Sequence, residues 1–268
     1  MAVGISEFEL EKYRFPNSAL RHLLIKIYRI RLIFRRALLF IEPKPKPKLS
    51  RREIDITLTK SLEKGRGEFK KQGWVFLENI FPSEVHKLLV EEWPSFYHFN
   101  PVRNILKSYD MHFISPGQTI SKYPIIGELK QYLSSNEFSR RLNEFSPSSV
   151  TGRKIDGISY SKAGYKSSVV NHLDSIAFSR IRNNDPINFL FYVKGTGGFR
   201  SGGTCIYRDK NGEILFETTN TTNSCLIYRS DKHYHGFPPM NFGKYRWMIA
   251  AHSQDHSNKL DKKLTLQN

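Results

Sequence analysis

Hydrophobic side chains recur at steps of three and four between Ala19 and Ile41: Leu20, Leu23, Ile27, Ile30, Phe34, Leu38 and Ile41. That spacing predicts an amphipathic helix with an apolar face about 100° wide. The pattern breaks at Glu42–Arg52 (EPKPKPKLSRR), where alternating Pro and Lys favour an extended spacer that no helix passes through. A polar helical stretch then runs through Thr59–Gln72 to Gly73, a strand follows at Trp74–Leu77, and Pro82 opens a helix carrying Val85, Leu88, Leu89 and Trp93. Residues 94–150 are less periodic, apart from a helix around Glu137–Phe145. From Ile155 onward the period shortens. Apolar stretches at Ile158–Tyr160, Ile187–Val193, Thr204–Tyr207, Ile214–Glu217, Ser224–Tyr228 and Tyr245–Ala250 alternate with breaks at 194–198, 201–203, 209–212 and 238–243. Closely spaced strands with glycine-rich turns predict an antiparallel sandwich or barrel, preceded by helices that cover one face. The expected fold class is therefore α+β, mainly β, with a jelly-roll core and supporting N-terminal helices. The expected organisation is residues 1–52 as basic helix plus linker and residues 53–268 as one domain.

Charge sharpens that division. The chain of 268 residues carries a formal +17, yet residues 1–52 hold thirteen Lys/Arg against four Glu, more than half of the excess. Arg21, Lys26, Arg29, Arg31, Arg35 and Arg36 share the 19–41 helix with no acid among them. Each cation near a bilayer centre costs roughly 2.5–3.5 kcal/mol, so spanning is excluded while lying flat on an anionic surface uses both halves of the pattern. Docking on the main domain is the alternative, and nucleic acid is the weakest. No uncharged apolar run reaches 18 residues, and the first residues are acidic and polar, unlike a signal peptide. With two cysteines, Cys205 and Cys225, a reducing compartment is the simpler reading. The expectation is a cytoplasmic protein, peripheral at the inner face of a membrane.

The candidate chemistry begins at Asn171-His172-Leu173-Asp174. In extended backbone, residues i and i+2 point the same way, so the imidazole and the carboxylate can reach one ion. His235 follows in His-Tyr-His-Gly-Phe-Pro-Pro, and Arg246 opens the next strand. Two His and one carboxylate with open opposite positions form a ligand set for non-heme Fe(II) oxygen chemistry. Arg246 would add a planar fork for a carboxylate beside the metal. His-x-Asp alone is a weak signal; its value rises because a glycine-rich strand pair, a second His and an Arg on the following strand come after it in order. His233 is a rival for the distal ligand, but Gly236 and the shorter reach to Arg246 favour His235.

The stretch from Ile158 to Asp255 resembles the 2-oxoglutarate- and Fe(II)-dependent dioxygenases, in particular the prolyl-4-hydroxylase-like branch and the related phytanoyl type. The carriers are Tyr160-Ser-Lys-Ala-Gly164 before His172-Leu-Asp174, Ser201-Gly-Gly-Thr204, and Ser230-Asp-Lys-His-Tyr-His235-Gly-Phe with Arg246. Lys71–Val90 resembles the helix-strand-helix opening of these enzymes. The resemblance implies a double-stranded β-helix in which His172, Asp174 and His235 hold Fe(II). Arg246 would pair with the distal carboxylate of 2-oxoglutarate, with Tyr160 assisting, and O2 would be the oxidant. Asp174 occupies the carboxylate position, leaving no place for halide, so hydroxylation of an unactivated C–H is expected.

The substrate expected is an anionic molecule at a membrane surface, such as an envelope glycolipid or a lipid-linked sugar, although no residue reads a sugar specifically. A protein prolyl or lysyl side chain is the alternative. Nucleic-acid demethylation is disfavoured: demethylases of that superfamily carry a second Arg six residues after the cosubstrate Arg, and this chain has His252 there. A binding module without chemistry is the weakest reading, because all three ligands and the Arg are present. Cys205 and Cys225 are expected to be buried thiols, His252 and His256 surface residues. Lys194, Arg180, Arg182, Arg200 and Arg208 are candidates for anion binding or for a solvated face. Trp93, Phe96, Tyr97, Phe99 and residues 112–119 are expected mainly in packing, with a lid as the alternative.

Overall fold

The computed structural model describes residues 51–94, 100–101, 112–114, 123–146, 153–174 and 186–255. The 19–41 helix and most of the Pro/Lys spacer lie outside these residues, as do Phe96, Tyr97, Phe99, Arg180, Arg182 and His256.

Four helices and eleven strands are seen among the described residues: α1 (Arg51–Gln72), β1 (Trp74–Glu78), α2 (Ser83–Glu91), β2 (Asn100–Pro101), β3 (His112–Ile114), α3 (Pro124–Leu133), α4 (Asn136–Phe145), β4 (Arg153–Ala163), β5 (Val169–His172), β6 (Ile187–Gly195), β7 (Cys205–Tyr207), β8 (Ile214–Glu217), β9 (Ser224–Arg229), β10 (Tyr234–Phe237) and β11 (Arg246–Asp255). α1 starts eight residues earlier than its polar pattern suggests. Ile54, Leu58, Leu62 and Phe69 are buried along it, so packing extends the helix through Arg51 and Arg52, which the sequence assigned to the spacer. Helix α3 and strands β5 and β10 had no counterpart in the sequence reading.

The strands form two antiparallel sheets, one ordered β1-β9-β6-β11-β4-β3-β2 and the other β5-β10-β7-β8. Strand alternation sorts the large sheet's side chains onto two faces. Phe189, Phe191 and Val193 of β6, Ile227 of β9 and Ile249 of β11 join the helices in one core. Leu190 and Tyr192, Leu226 and Tyr228, and Met248 and Ala250 join Ile206 of β7 in a second core between the sheets. Strand β6 is buried on both sides, which is why it reads as an unbroken apolar run rather than an alternation.

The helices are tied together by a polar contact as well. Tyr132 Oη donates to Asp55 Oδ1 at 2.7 Å, and Arg141 Nη2 donates to Asp55 Oδ2 at 3.3 Å, so one carboxylate of α1 joins α3 and α4. Burial pushes the Tyr132, Tyr160, Tyr192 and Tyr228 phenols above their ordinary 10.0, and the Cys205 and Cys225 thiols above 9.0. The folded chain thus keeps protons that the unfolded chain releases in alkali. Their contribution is complete below the unfolded values and is lost as pH rises through them. Urea midpoints should stay level to about pH 8.5 and fall from about pH 9 upward; a midpoint unchanged at about pH 11 would contradict this account.

Candidate metal centre and its counter-charge

Strands β5 and β10 pair antiparallel with His172 opposite His235. A Cβ at Gly236 would lie 2.5 Å from the Val169 carbonyl oxygen and 2.8 Å from that of Val170, so only glycine lets the strands close at this point. Asp174 lies beyond the end of β5 and is drawn in by its backbone N–H, which donates to the Ser230 carbonyl at 3.0 Å. Asp174 is already helical, so departure from extended backbone, not i, i+2 strand alternation, brings the carboxylate to the histidines.

The His172 and His235 Nε2 atoms each lie 3.4 Å from Asp174 Oδ1, and the three ligand atoms fall within 4.8 Å of one another. All three residues are buried. Each ring's far nitrogen faces a main-chain carbonyl: His172 Nδ1 to Val170 at 2.7 Å and His235 Nδ1 to His233 at 3.0 Å. A carbonyl only accepts, so Nδ1 carries a proton and Nε2 is the nitrogen that each ring turns inward as a possible metal ligand. Burial pushes the Asp174 carboxyl upward, but hydrogen bonds from the His172 and His235 rings and the charge of His235 outweigh it and hold it well below the usual carboxylate range. A metal cation would replace that positive charge between two Nε2 atoms and a carboxylate in a dry site.

Asp174 is held from behind. Asn188 Nδ2 donates to Asp174 Oδ2 at 3.0 Å and approaches Tyr228 Oη at 3.2 Å, while Asn188 Oδ1 pairs with His252 Nδ1 at 2.9 Å. The Tyr228 ring lies 4.7 Å from that of His235. This support was missed in the sequence, although one signal was there: Asn188 is the one amide in the apolar run INFLFYV. His252, expected at the surface, is half-buried and turned inward by this bond.

Arg246 supplies the opposite charge. It is 1% exposed, its guanidinium sits 4.2 Å from the Phe237 ring centroid, and its Nε and Nη1 have no hydrogen-bond partner. No carboxylate among the described residues pairs with it, and burial pulls its pKa down. Tyr192 lies alongside, its ring centroid 5.8 Å from the guanidinium and its hydroxyl accepting from the Thr204 N–H at 2.8 Å. Gly202 (φ +84°) keeps the wall thin, since a Cβ there would meet Met240 Sδ at 2.6 Å and Arg246 Cδ at 3.2 Å. A buried guanidinium without a counter-charge is costly, and a bound carboxylate would relieve that cost.

Tyr160 does not belong to this site. It pairs with Ile249 on the helix-facing side of the large sheet, packs edge-on to Trp93, and points its hydroxyl at the Ile126 carbonyl 3.4 Å away. Strand alternation turns it away from Arg246, and Tyr192 stands where a phenol meets the guanidinium. His233 also faces elsewhere, with its Nε2 packed over Gly73. Trp93 stacks on Trp247 and is core. Cys205 and Cys225 are buried free thiols. Arg208 pairs with Glu213 at 2.8 Å, and Lys194 lies over Trp247.

No family model and no curated protein matches the sequence, whereas solved structures match the fold. A prolyl hydroxylase from Trichoplax adhaerens, in complex with a hypoxia-inducible-factor peptide, is 14% identical, covers 80% of this chain and 97% of its own, and superposes with TM-score 0.57. A Pseudomonas putida prolyl-4-hydroxylase is 15% identical, covers 73% and 100%, and gives 0.51. The fold is that of the 2-oxoglutarate/Fe(II) oxygenases. It hosts more than hydroxylation: SnoN, an α-ketoglutarate-dependent epimerase of nogalamycin biosynthesis, matches at 11% identity over 73% and 83%, with TM-score 0.55. The His172-Asp174-His235 cluster is a set of three residues that could hold one metal ion.

If Asn188 orients the Asp174 carboxylate, Asn188→Ala should weaken Mn(II) binding about 10- to 100-fold without unfolding the protein. Titration by electron paramagnetic resonance, alongside a thermal melt, measures both; unchanged Mn(II) affinity would count against the orienting role.

Proposed function

We propose that this protein is an Fe(II)- and 2-oxoglutarate-dependent oxygenase that hydroxylates an unactivated C–H bond. The reading rests on two sets of buried groups: the three converging ligands His172, Asp174 and His235, and the Arg246 guanidinium, whose Nε and Nη1 have no hydrogen-bond partner. In this reading the two sheets form a double-stranded β-helix, and residues 53–268 make up the oxygenase domain. His172 Nε2, His235 Nε2 and Asp174 Oδ1 would hold the metal on one face. Arg246 Nε and Nη1, with the Tyr192 hydroxyl, would grip the distal carboxylate of 2-oxoglutarate. Phe237, two residues along β10 from His235, packs against the Arg246 guanidinium, so one strand carries a metal ligand and a neighbour of the proposed carboxylate anchor. When bound, Fe(II) would activate O2 as the oxidant, one oxygen atom ending in the substrate hydroxyl and the other in succinate as 2-oxoglutarate loses CO2. The protein's part is orientation and dryness: Asn188 fixes Asp174, the two carbonyls fix the histidine tautomers, and Ile206, Met248 and Phe237 line the space with apolar surface.

For the substrate, the charge supports an anionic molecule at a membrane surface, such as a glycolipid or lipid-linked sugar. Among the described residues no helix is long and apolar enough to cross a membrane. A peptidyl proline is the second reading, favoured by the prolyl hydroxylases among the structural matches.

Anaerobic addition of Fe(II) and 2-oxoglutarate should produce a weak visible charge-transfer band. His172→Ala or Asp174→Ala should abolish it, and a band retained in either variant removes the assignment. Arg246→Ala should raise the 2-oxoglutarate concentration needed for half-saturation by at least about 30-fold, and Tyr192→Phe by about tenfold, the scale of a lost buried charge pair and a lost charged hydrogen bond. An unchanged requirement in Arg246→Ala would exclude it as the carboxylate anchor.

A further inference from the structure

We propose that the Arg246 end of the two sheets is a docking surface for an anionic phospholipid bilayer, with Phe242 entering the acyl region. Three loops meet at this end: 164–168 between β4 and β5, 196–204 between β6 and β7, and 238–245 between β10 and β11. Each carries an exposed ring. Phe242 is 87% exposed, Phe199 61% and Tyr165 46%, and Tyr165 meets Phe242 edge-on at 5.6 Å. Isolated exposed hydrophobics are ordinary, but three rings gathered on adjoining loops form a patch that calls for an apolar partner.

The rings are accompanied by cations. Lys166 lies 5.3 Å from the Tyr165 ring centroid, Arg200 lies 5.3 Å from that of Phe199, and Lys244 Nζ donates to the Gly197 carbonyl at 2.9 Å. Lys162 and Lys194 flank Trp247 on the strands just behind. Segments 159–169, 194–204 and 238–248 contain no Asp or Glu at all. Glu217 of β8 is the nearby acid, and its carboxylate accepts from the Arg200 N–H at 2.8 Å. The surface therefore presents positive charge around apolar rings, complementary to anionic headgroups over acyl chains.

The arrangement is built rather than loose. Lys166 N–H donates to the Met240 carbonyl at 3.1 Å, Met240 N–H to Ser167 at 3.0 Å, and Asn241 N–H to Arg200 at 3.2 Å, so the 238–245 loop is bonded to both neighbours. Lys166 (φ 62°) and Arg200 (φ 50°) both occupy the left-handed region disfavoured for side chains with a Cβ, each next to its own ring. Phe242 decides between a bilayer and a nucleic acid. A phenyl ring 87% exposed on a loop end gains most by entering an apolar phase, whereas base stacking needs a groove that tracks a strand. This surface lies at the opposite end of β5 and β10 from His172 and His235, and its binding needs neither metal nor 2-oxoglutarate, so it stands or falls apart from the oxygenase reading.

The test uses the full chain carrying Phe242→Trp, without added metal, its emission read as the difference from the unsubstituted protein. With vesicles of brominated phosphatidylglycerol and phosphatidylcholine, emission from the introduced indole should shift to the blue and be quenched, and phosphatidylcholine alone should do neither. Phe242→Ser should weaken partitioning onto the anionic vesicles roughly tenfold. Three results would overturn the proposal. The introduced indole could stay water-exposed and unquenched, even if the protein sediments with vesicles through residues 19–41. It could already be blue-shifted without lipid, meaning that another part of the chain or a second copy covers the patch. Or it could respond to single-stranded DNA and not to vesicles.

Discussion

Unbalanced charge in a dry interior governs this structure. Between two sheets packed with Leu, Ile, Phe and Met, the chain buries a guanidinium with two unpartnered nitrogens, and nearby it turns two imidazole Nε2 atoms toward a carboxylate. Neither arrangement is balanced alone: an unpaired buried cation carries a desolvation cost of several kcal/mol, and two imidazoles and a carboxylate converging out of water need a shared positive charge. Each defect is what the other's ligand would correct. A divalent metal neutralises one end and a carboxylate the other, so a metal-chelating dicarboxylate would settle both at once.

Backbone pairing keeps the defects in place. His172 and His235 face each other because β5 and β10 pair at that register, and Gly236 permits the contact. Arg246 begins β11, locked between β4 and β6 at Ala163 and Gly195. The helices contribute at a distance by covering the outer face of the large sheet and leaving its inner face to the site. Asn188 is the hinge between these layers: its neighbours in β6 pack toward the helices, while its own amide reaches the carboxylate.

The two ends of the same strands serve different purposes. Near His172 and His235 the groups are buried, directional and hydrogen-bonded. Around Lys166, Arg200 and Phe242 they are exposed, basic and aromatic, held by main-chain bonds between loops.

The linear pattern determined a good deal. Strand periodicity and glycine-rich turns indicated antiparallel sheets with helices on one side, and His172, Asp174, His235 and Arg246 were legible because their residue types and order are rare in combination. Local pattern could not reveal which face a residue takes once strands pair. Tyr160 looked like a partner of Arg246, yet a strand alternates at every residue, and pairing with Ile249 sends its ring to the helices. Tyr192 of β6, on the other side of β11, takes that place instead. Strands β5 (VVNH) and β10 (YHGF) were illegible because neither carries an apolar run or alternation of its own. His252 read as a polar surface residue, and only the fold brings it within 2.9 Å of Asn188, 64 positions away. Composition and order are properties of the chain, but the side of a sheet and the partner across it come into being only when distant segments hydrogen-bond.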